Sequence, residues 1–208
     1  DNYDLLSEKG HQQARLLGDY FSAQDMQFDH IITGDMVRHR ETAEGICEGL
    51  GVAGRSFEVL PELNEFDFHS VLHAFLAQHP DQALPDKPVV ADYFKRLKQG
   101  IVLWSEGRLE GSLPETWAQF EQRILHAREH IMGNYKGQRV LAVSSGGAIA
   151  MLVRQLLEAP SNPLALTQPA MALLFARAGR SASLPAIAAD KLAAAAAVYQ
   201  VLRSLSCH

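Results

Sequence analysis

The sequence predicts an α/β fold, a mostly parallel sheet layered between helices with a helical insertion, in a single domain spanning residues 1–208. Three observations lead there. Short β-branched or aromatic runs at 28–33, 57–60 and 140–143 alternate with longer stretches of helical period, the pattern of strand–helix units. The run at 140–143 passes through Ser144-Ser145-Gly146-Gly147 straight into an apolar stretch at 148–157, so a buried strand turns tightly into a helix. Hydrophobic residues are 47% of the 208, enough for one substantial core.

The elements follow in order. Ser7 is placed to cap a helix running to Ala23, with Ala14, Leu17, Tyr20 and Phe21 on one face. A strand is predicted at 28–33; Gly34-Asp35 then opens a helix over 36–50. A second strand at 57–60 is stopped by Pro61. Residues 61–116 change character, with acidic and aromatic residues, proline punctuation and two amphipathic helices near 69–79 and 91–106. The segment 66–116 is read as a helical insertion covering the sheet's edge. A long helix is expected over 114–135, ended at Gly137. Residues 171–176 suit one more strand. The segment 159–208 diverges into an Ala-rich tail, close to low complexity at 193–197.

Charge and cysteine usage narrow the function. A net charge of −5 excludes general nucleic-acid binding, which needs a basic surface, but leaves room for a local cationic pocket. Cys47 and Cys207 are the only cysteines and lack metal-ligand spacing, which fits a reducing cytoplasm. No apolar run reaches the ~20 residues needed to span a bilayer, so no membrane partner is expected.

Chemistry is expected at the 144–147 turn. A strand entering a helix so abruptly aims backbone N–H groups and hydroxyls at one spot, and the helix dipole favours an anion there. Arg38 stands in the first turn of the helix after the 28–33 strand, where a cation is unfavourable unless it grips an anion. Arg40, on another face, reads as a surface charge. Glu65, between Asn64 and Phe66, suits either a desolvated general acid or a plain loop charge, and spacing alone favours the latter. His69/His73 and His126/His130 have i, i+4 spacing without a carboxylate motif, a weak metal signal. Ala142-Val143-Ser144-Ser145-Gly146 approximates a nucleophile elbow with alanine for the first glycine. Its acid and base would have to be Asp190 and His208, the latter at a terminus where a base is poorly held.

Four segments together resemble the histidine phosphatase superfamily, the phosphoglycerate mutase-like enzymes. Residues 5–14, Leu-Leu-Ser-Glu-Lys-Gly-His-Gln-Gln-Ala, resemble the family's L-T-x-x-G-x-x-Q-A. Residues 31–46 are similar to S-x-L-x-R-A-x-Q-T-A, with Arg38 at the phosphate-binding arginine and Gly34 at the usual serine. Leu63-Asn64-Glu65 matches L-x-E, and residues 140–149 are similar to V-L-V-V-S-H-G-G-x-I, with Ser145 at the family's pocket histidine. The resemblance covers roughly residues 1–158 and implies a three-layer α/β/α fold. It implies a catalytic role for Glu65 as proton donor and phosphate binding by Arg38, Ser145 and Gly146, with neither metal nor cofactor and a small phosphorylated substrate as partner. His11 and His39 are read as helix residues, poor substitutes for the family's histidines.

The family's nucleophile is a histidine in an Arg-His-Gly segment that normally precedes the first of these motifs. The 208 residues contain no Arg-His-Gly, so the resemblance places it upstream, together with a central strand. These residues alone are therefore expected to be inactive and unstable. In the implied reaction a neutral histidine attacks phosphorus, Glu65 protonates the leaving oxygen, and water hydrolyses the phosphohistidine. Two readings compete with this phosphomonoester hydrolase. One is a non-catalytic phosphate or phosphoprotein binder, motivated by Ser145. The other is a serine hydrolase using Ser144.

Overall fold

The structure, a computed structural model, describes residues 4–156. The expected strand at 171–176, the Ala-rich tail, Asp190 and His208 lie outside the described residues. The described elements run α1 (Glu8–Ala23), β1 (His30–Thr33), α2 (Val37–Gly49), β2 (Glu58–Val59), α3 (Phe68–Gln78), α4 (Val90–Ser105), α5 (Trp117–Asn134), β3 (Val140–Val143) and α6 (Gly146–Leu156).

Among the described residues three parallel strands form the sheet, in the order β2-β1-β3. Thr33 pairs with both Val59 and Val143, so the carboxyl ends of all three strands finish level. Side-chain alternation sets the layers. Ile31, Leu141 and Val143 face Ala14, Leu17 and Phe21 of α1 and Ala43, Ile46 and Cys47 of α2. Ile32, Val140 and Ala142 face the other way, onto Phe120, Ile124 and Ile131 of α5 and Ala148, Ile149 and Leu152 of α6. Both sheet faces are thus covered, as parallel strands require, and the α/β class follows.

Local chemistry fixes the helix ends. Ser7 accepts a hydrogen bond from the Gly10 N–H at 3.1 Å and caps α1. Tyr20 departs from its expected place: it is 37% exposed, and Gly18 shares the buried face instead, because its lack of a side chain lets α2 come against the backbone. Thr116 and Gln119 form a capping box, so α5 starts at Trp117 and leaves Pro114 outside. Helix α6 begins at Gly146, two residues before Ala148, since the Ser145 carbonyl already accepts from the Ile149 N–H at 2.9 Å. Gly137, at φ 78°, turns the chain out of α5 into β3.

Between β2 and α5, Val71 of α3 and Trp104 of α4 join the core on the α5/α6 side. There Phe66, Trp104, Trp117 and Phe120 pack mostly edge-to-face, with ring centroids 5.1–5.8 Å apart, a favourable aromatic spacing. Phe75 is buried as well, whereas Tyr93 and Phe94 are exposed. Among the described residues no helix is long and apolar enough to cross a membrane.

Candidate active site

The residues singled out in the sequence meet at the carboxyl end of the sheet, where open α/β sheets bind ligands. Arg38 comes from the first turn of α2, directly after β1. It lies beside the positive end of that helix, so it needs negative or acceptor groups around it. Two are present. Asp4 approaches Nη1 at 3.4 Å, and its other oxygen accepts from the Val37 N–H at 3.1 Å, capping α2 from outside. Nη2 donates to the Ser145 hydroxyl at 3.0 Å. Arg40, by contrast, is exposed and pairs with Glu44 one turn on.

Ser145 closes the turn after β3. Its Oγ lies 2.6 Å from Nε2 of His39, which sits on its helix as expected from the sequence; its contact with Ser145 was not anticipated. His39 is 2% exposed, and its Nδ1 is buried with no hydrogen-bond partner. Burial and the neighbouring Arg38 guanidinium lower its pKa to about 4, so the imidazole is neutral at ordinary pH. Room for this ring exists because residue 34 is glycine. A Cβ there would collide with His39 Nδ1 and stand 2.6 Å from Asn64 Oδ1.

Glu65 follows the short turn after β2. The Gly147 N–H donates to one carboxyl oxygen at 2.9 Å and the Phe66 N–H to the other at 3.2 Å. Burial nevertheless dominates and pushes the carboxyl pKa above its ordinary range, against the pull of these bonds and of Arg38 and Arg123. Gly147 is required sterically: a Cβ would strike Glu65 Oε1 and lie 2.6 Å from Phe66 Cε1. Gly146 is exposed, with open space beside its Cα, at the N-terminus of α6. The neighbouring carboxylate Asp67 is spent locally: it caps α3 through the Ser70 N–H at 3.0 Å.

One supporting residue gave no sequence signal. Arg123 on α5 donates to the carbonyls of Glu62 and Asn64 at 2.7 Å each and grips Glu115 with two bonds of 2.8 Å. It thereby fixes the turn that presents Glu65. Asn64 ties the same turn to the end of β1, its Oδ1 accepting from the Asp35 N–H at 3.0 Å. Ser144, the serine of the elbow reading, donates to the Leu63 carbonyl at 2.5 Å. Its hydroxyl braces the two turns, and the histidine contact falls on Ser145 instead. His126 and His130 reach different partners, Gln122 and Glu58, and among the described residues no three metal-ligating side chains converge.

Residues 3–174 match the histidine phosphatase superfamily (branch 1), and the chain belongs to that superfamily. It is 28% identical over 159 residues to "Probable phosphoglycerate mutase GpmB" of Erwinia tasmaniensis, covering 76% of this chain and 65% of that protein; it therefore spans about two thirds of the relative's length. The fold is similar to Bacillus stearothermophilus YhfR (TM-score 0.54, 22% identity, 79% of this chain and 72% of that one). It is also similar to the alpha-ribazole phosphatase from Shigella flexneri (TM-score 0.52, 19% identity, 78% and 71%). These likenesses establish a parallel-sheet, phosphoglycerate mutase-like architecture.

Proposed function

We propose that these residues form part of a metal-independent phosphomonoester hydrolase of the histidine phosphatase type. The observation that carries this reading is the Arg38 guanidinium, set at the carboxyl ends of β1 and β3 with Nη2 on the Ser145 hydroxyl and facing a carboxyl whose pKa is raised. A guanidinium, a hydroxyl and the N-terminus of α6 at Gly146 suit the non-bridging oxygens of a phosphate. A carboxyl pushed toward its neutral form by burial suits the departing alkoxide, to which it gives its proton. Charge on the transferred group is balanced by Arg38 and the helix N-terminus, which is where most of the rate enhancement in phosphoryl transfer originates. In this reaction type the attacking imidazole comes from an Arg-His-Gly segment, a motif these 208 residues do not contain.

Hydrolysis of an aryl phosphate by the full-length protein tests the reading. Turnover is expected, and Arg38→Ala should lower it by about 100-fold or more, as removal of a charge-stabilising donor does. Unchanged turnover in Arg38→Ala, or full-length sequence without an Arg-His-Gly strand, would sink it. A second reading, a phosphate-binding relative without turnover, is favoured by Ser145, which supplies no imidazole at that position. It expects saturable phosphate-ester binding with no hydrolysis.

A further inference from the structure

His39 is an unusual residue for the interior of a site. It is 2% exposed, comes from the helix after β1, and reaches across to a serine 106 positions later at 2.6 Å. Three departures from the family pattern meet at this contact. Glycine replaces serine at 34, histidine stands where the pattern has alanine at 39, and serine replaces histidine at 145. The three are sterically linked, because any side chain at 34 would occupy the volume of the His39 ring.

The hydrogen-bond inventory assigns the protons. Ser145 Oγ has two lone pairs and one hydrogen. Arg38 Nη2 fills one lone pair. If the hydroxyl gave its hydrogen to Nε2, the His39 proton would sit on Nδ1, a buried donor without an acceptor. Orphaned buried N–H groups are rarer and costlier than orphaned acceptors. The lower-energy arrangement puts the imidazole proton on Nε2, donating to Ser145, and leaves Nδ1 bare. Both Ser145 lone pairs are then filled, and its O–H has one direction left, away from His39 and Arg38.

We propose that His39 is a positioning residue: as the Nε2–H tautomer it acts with Arg38 to fix the Ser145 hydroxyl as a hydrogen-bond donor to a phosphate oxygen, with Gly34 providing the space. An imidazole carried by the helix after β1 thus serves the phosphate site through a serine. This inference rests on the phosphate-site reading above.

The test is inorganic phosphate binding to the full-length protein by calorimetry, with the imidazole nitrogens followed by 15N NMR. The Ser145→Ala and His39→Leu variants should each weaken phosphate by about tenfold, the scale of one hydrogen bond to a charged group. The double variant should lose no more than either alone. His39→Gln, whose amide can still donate to Ser145, should recover part of the affinity. In the unsubstituted protein, NMR should report protonated Nε2 and bare Nδ1, a readout that does not depend on any variant folding. Wild-type phosphate affinity in a folded His39→Leu, additive losses in the double variant, or a proton on Nδ1 would each overturn the proposal. Retained affinity in Arg38→Ala would instead overturn the phosphate site itself, and the positioning role with it.

Discussion

The two ends of the sheet hold similar residues in opposite condition. At the amino end, Glu58 accepts from Tyr135 and pairs with His130 at 2.6 Å, while Arg55 donates to the carbonyls of Phe28 and Asp29. Burial pushes the Glu58 carboxyl up, but the hydrogen bonds from Tyr135 and His130 outweigh it and hold the carboxyl below its ordinary range. A cavity of about 350 Å³ opens there, lined by His30, Arg55 and Glu58, yet Arg55 and Glu58 already have partners elsewhere. At the carboxyl end, His39 carries an unpartnered nitrogen, Glu65 is pushed toward its neutral form, and two glycines make room for both. An open cavity by itself does not mark a site. Polar groups held in unfavourable states do, because the fold retains them against its own stability.

That contrast can be broken by substitution. The largest stability effect is expected from Gly147→Ala, since its Cβ meets a carboxyl oxygen and a buried ring. Overpacking of this kind costs about 2–3 kcal/mol, measured by urea unfolding. A smaller loss than that from Glu58→Gln would reverse the comparison.

A second effect is pH-dependent. His39 titrates at about 4 in the folded chain against 6.5 ordinarily. Between those values the unfolded chain binds a proton that the native chain does not, so this group's contribution to stability falls as pH drops from 6.5 to 4. Above 6.5 it is constant. Going from pH 7 to pH 5 should cost the wild type about 2 kcal/mol more than His39→Leu, read from paired unfolding curves. Glu65 runs the opposite way. Its raised pKa means the native carboxyl keeps a proton that the unfolded chain has already released. Its contribution therefore declines as pH rises past the ordinary 4.5, and comparing wild type with Glu65→Gln across pH 5–7 isolates that slope.

The smallest effect belongs to the amino end. Glu58→Gln should cost less than about 1 kcal/mol, as partly exposed ion pairs do, and leave phosphate affinity unchanged in the same titration.

The sequence made some of this legible. The strand–turn–helix at 140–157 was visible because β-branched and apolar runs meet a Ser-Ser-Gly-Gly turn, and local propensity agrees with the final packing. Arg38 could be singled out because a cation at a helix N-terminus conflicts with the helix dipole. Glu65 was harder. Its shifted carboxyl depends on α6 closing over it through Gly147, a contact spanning 82 positions. Arg123 acts through backbone carbonyls about 60 residues earlier, which no side-chain pattern encodes. The His39–Ser145 contact was missed because a histidine in a helix's first turn gives no inward signal until the glycine at 34 is seen as a space for it. The available signal was the pairing of an added histidine at 39 with a lost one at 145.

A crystal structure of the full-length protein with tungstate, a phosphate mimic visible by anomalous scattering, addresses the central claim directly. The anion should lie within hydrogen-bond distance of the Arg38 guanidinium and Ser145 Oγ, at the N-terminus of α6 and opposite Glu65. Tungstate bound only at the amino end beside Arg55 and His30, or no anion at Arg38, would contradict the account.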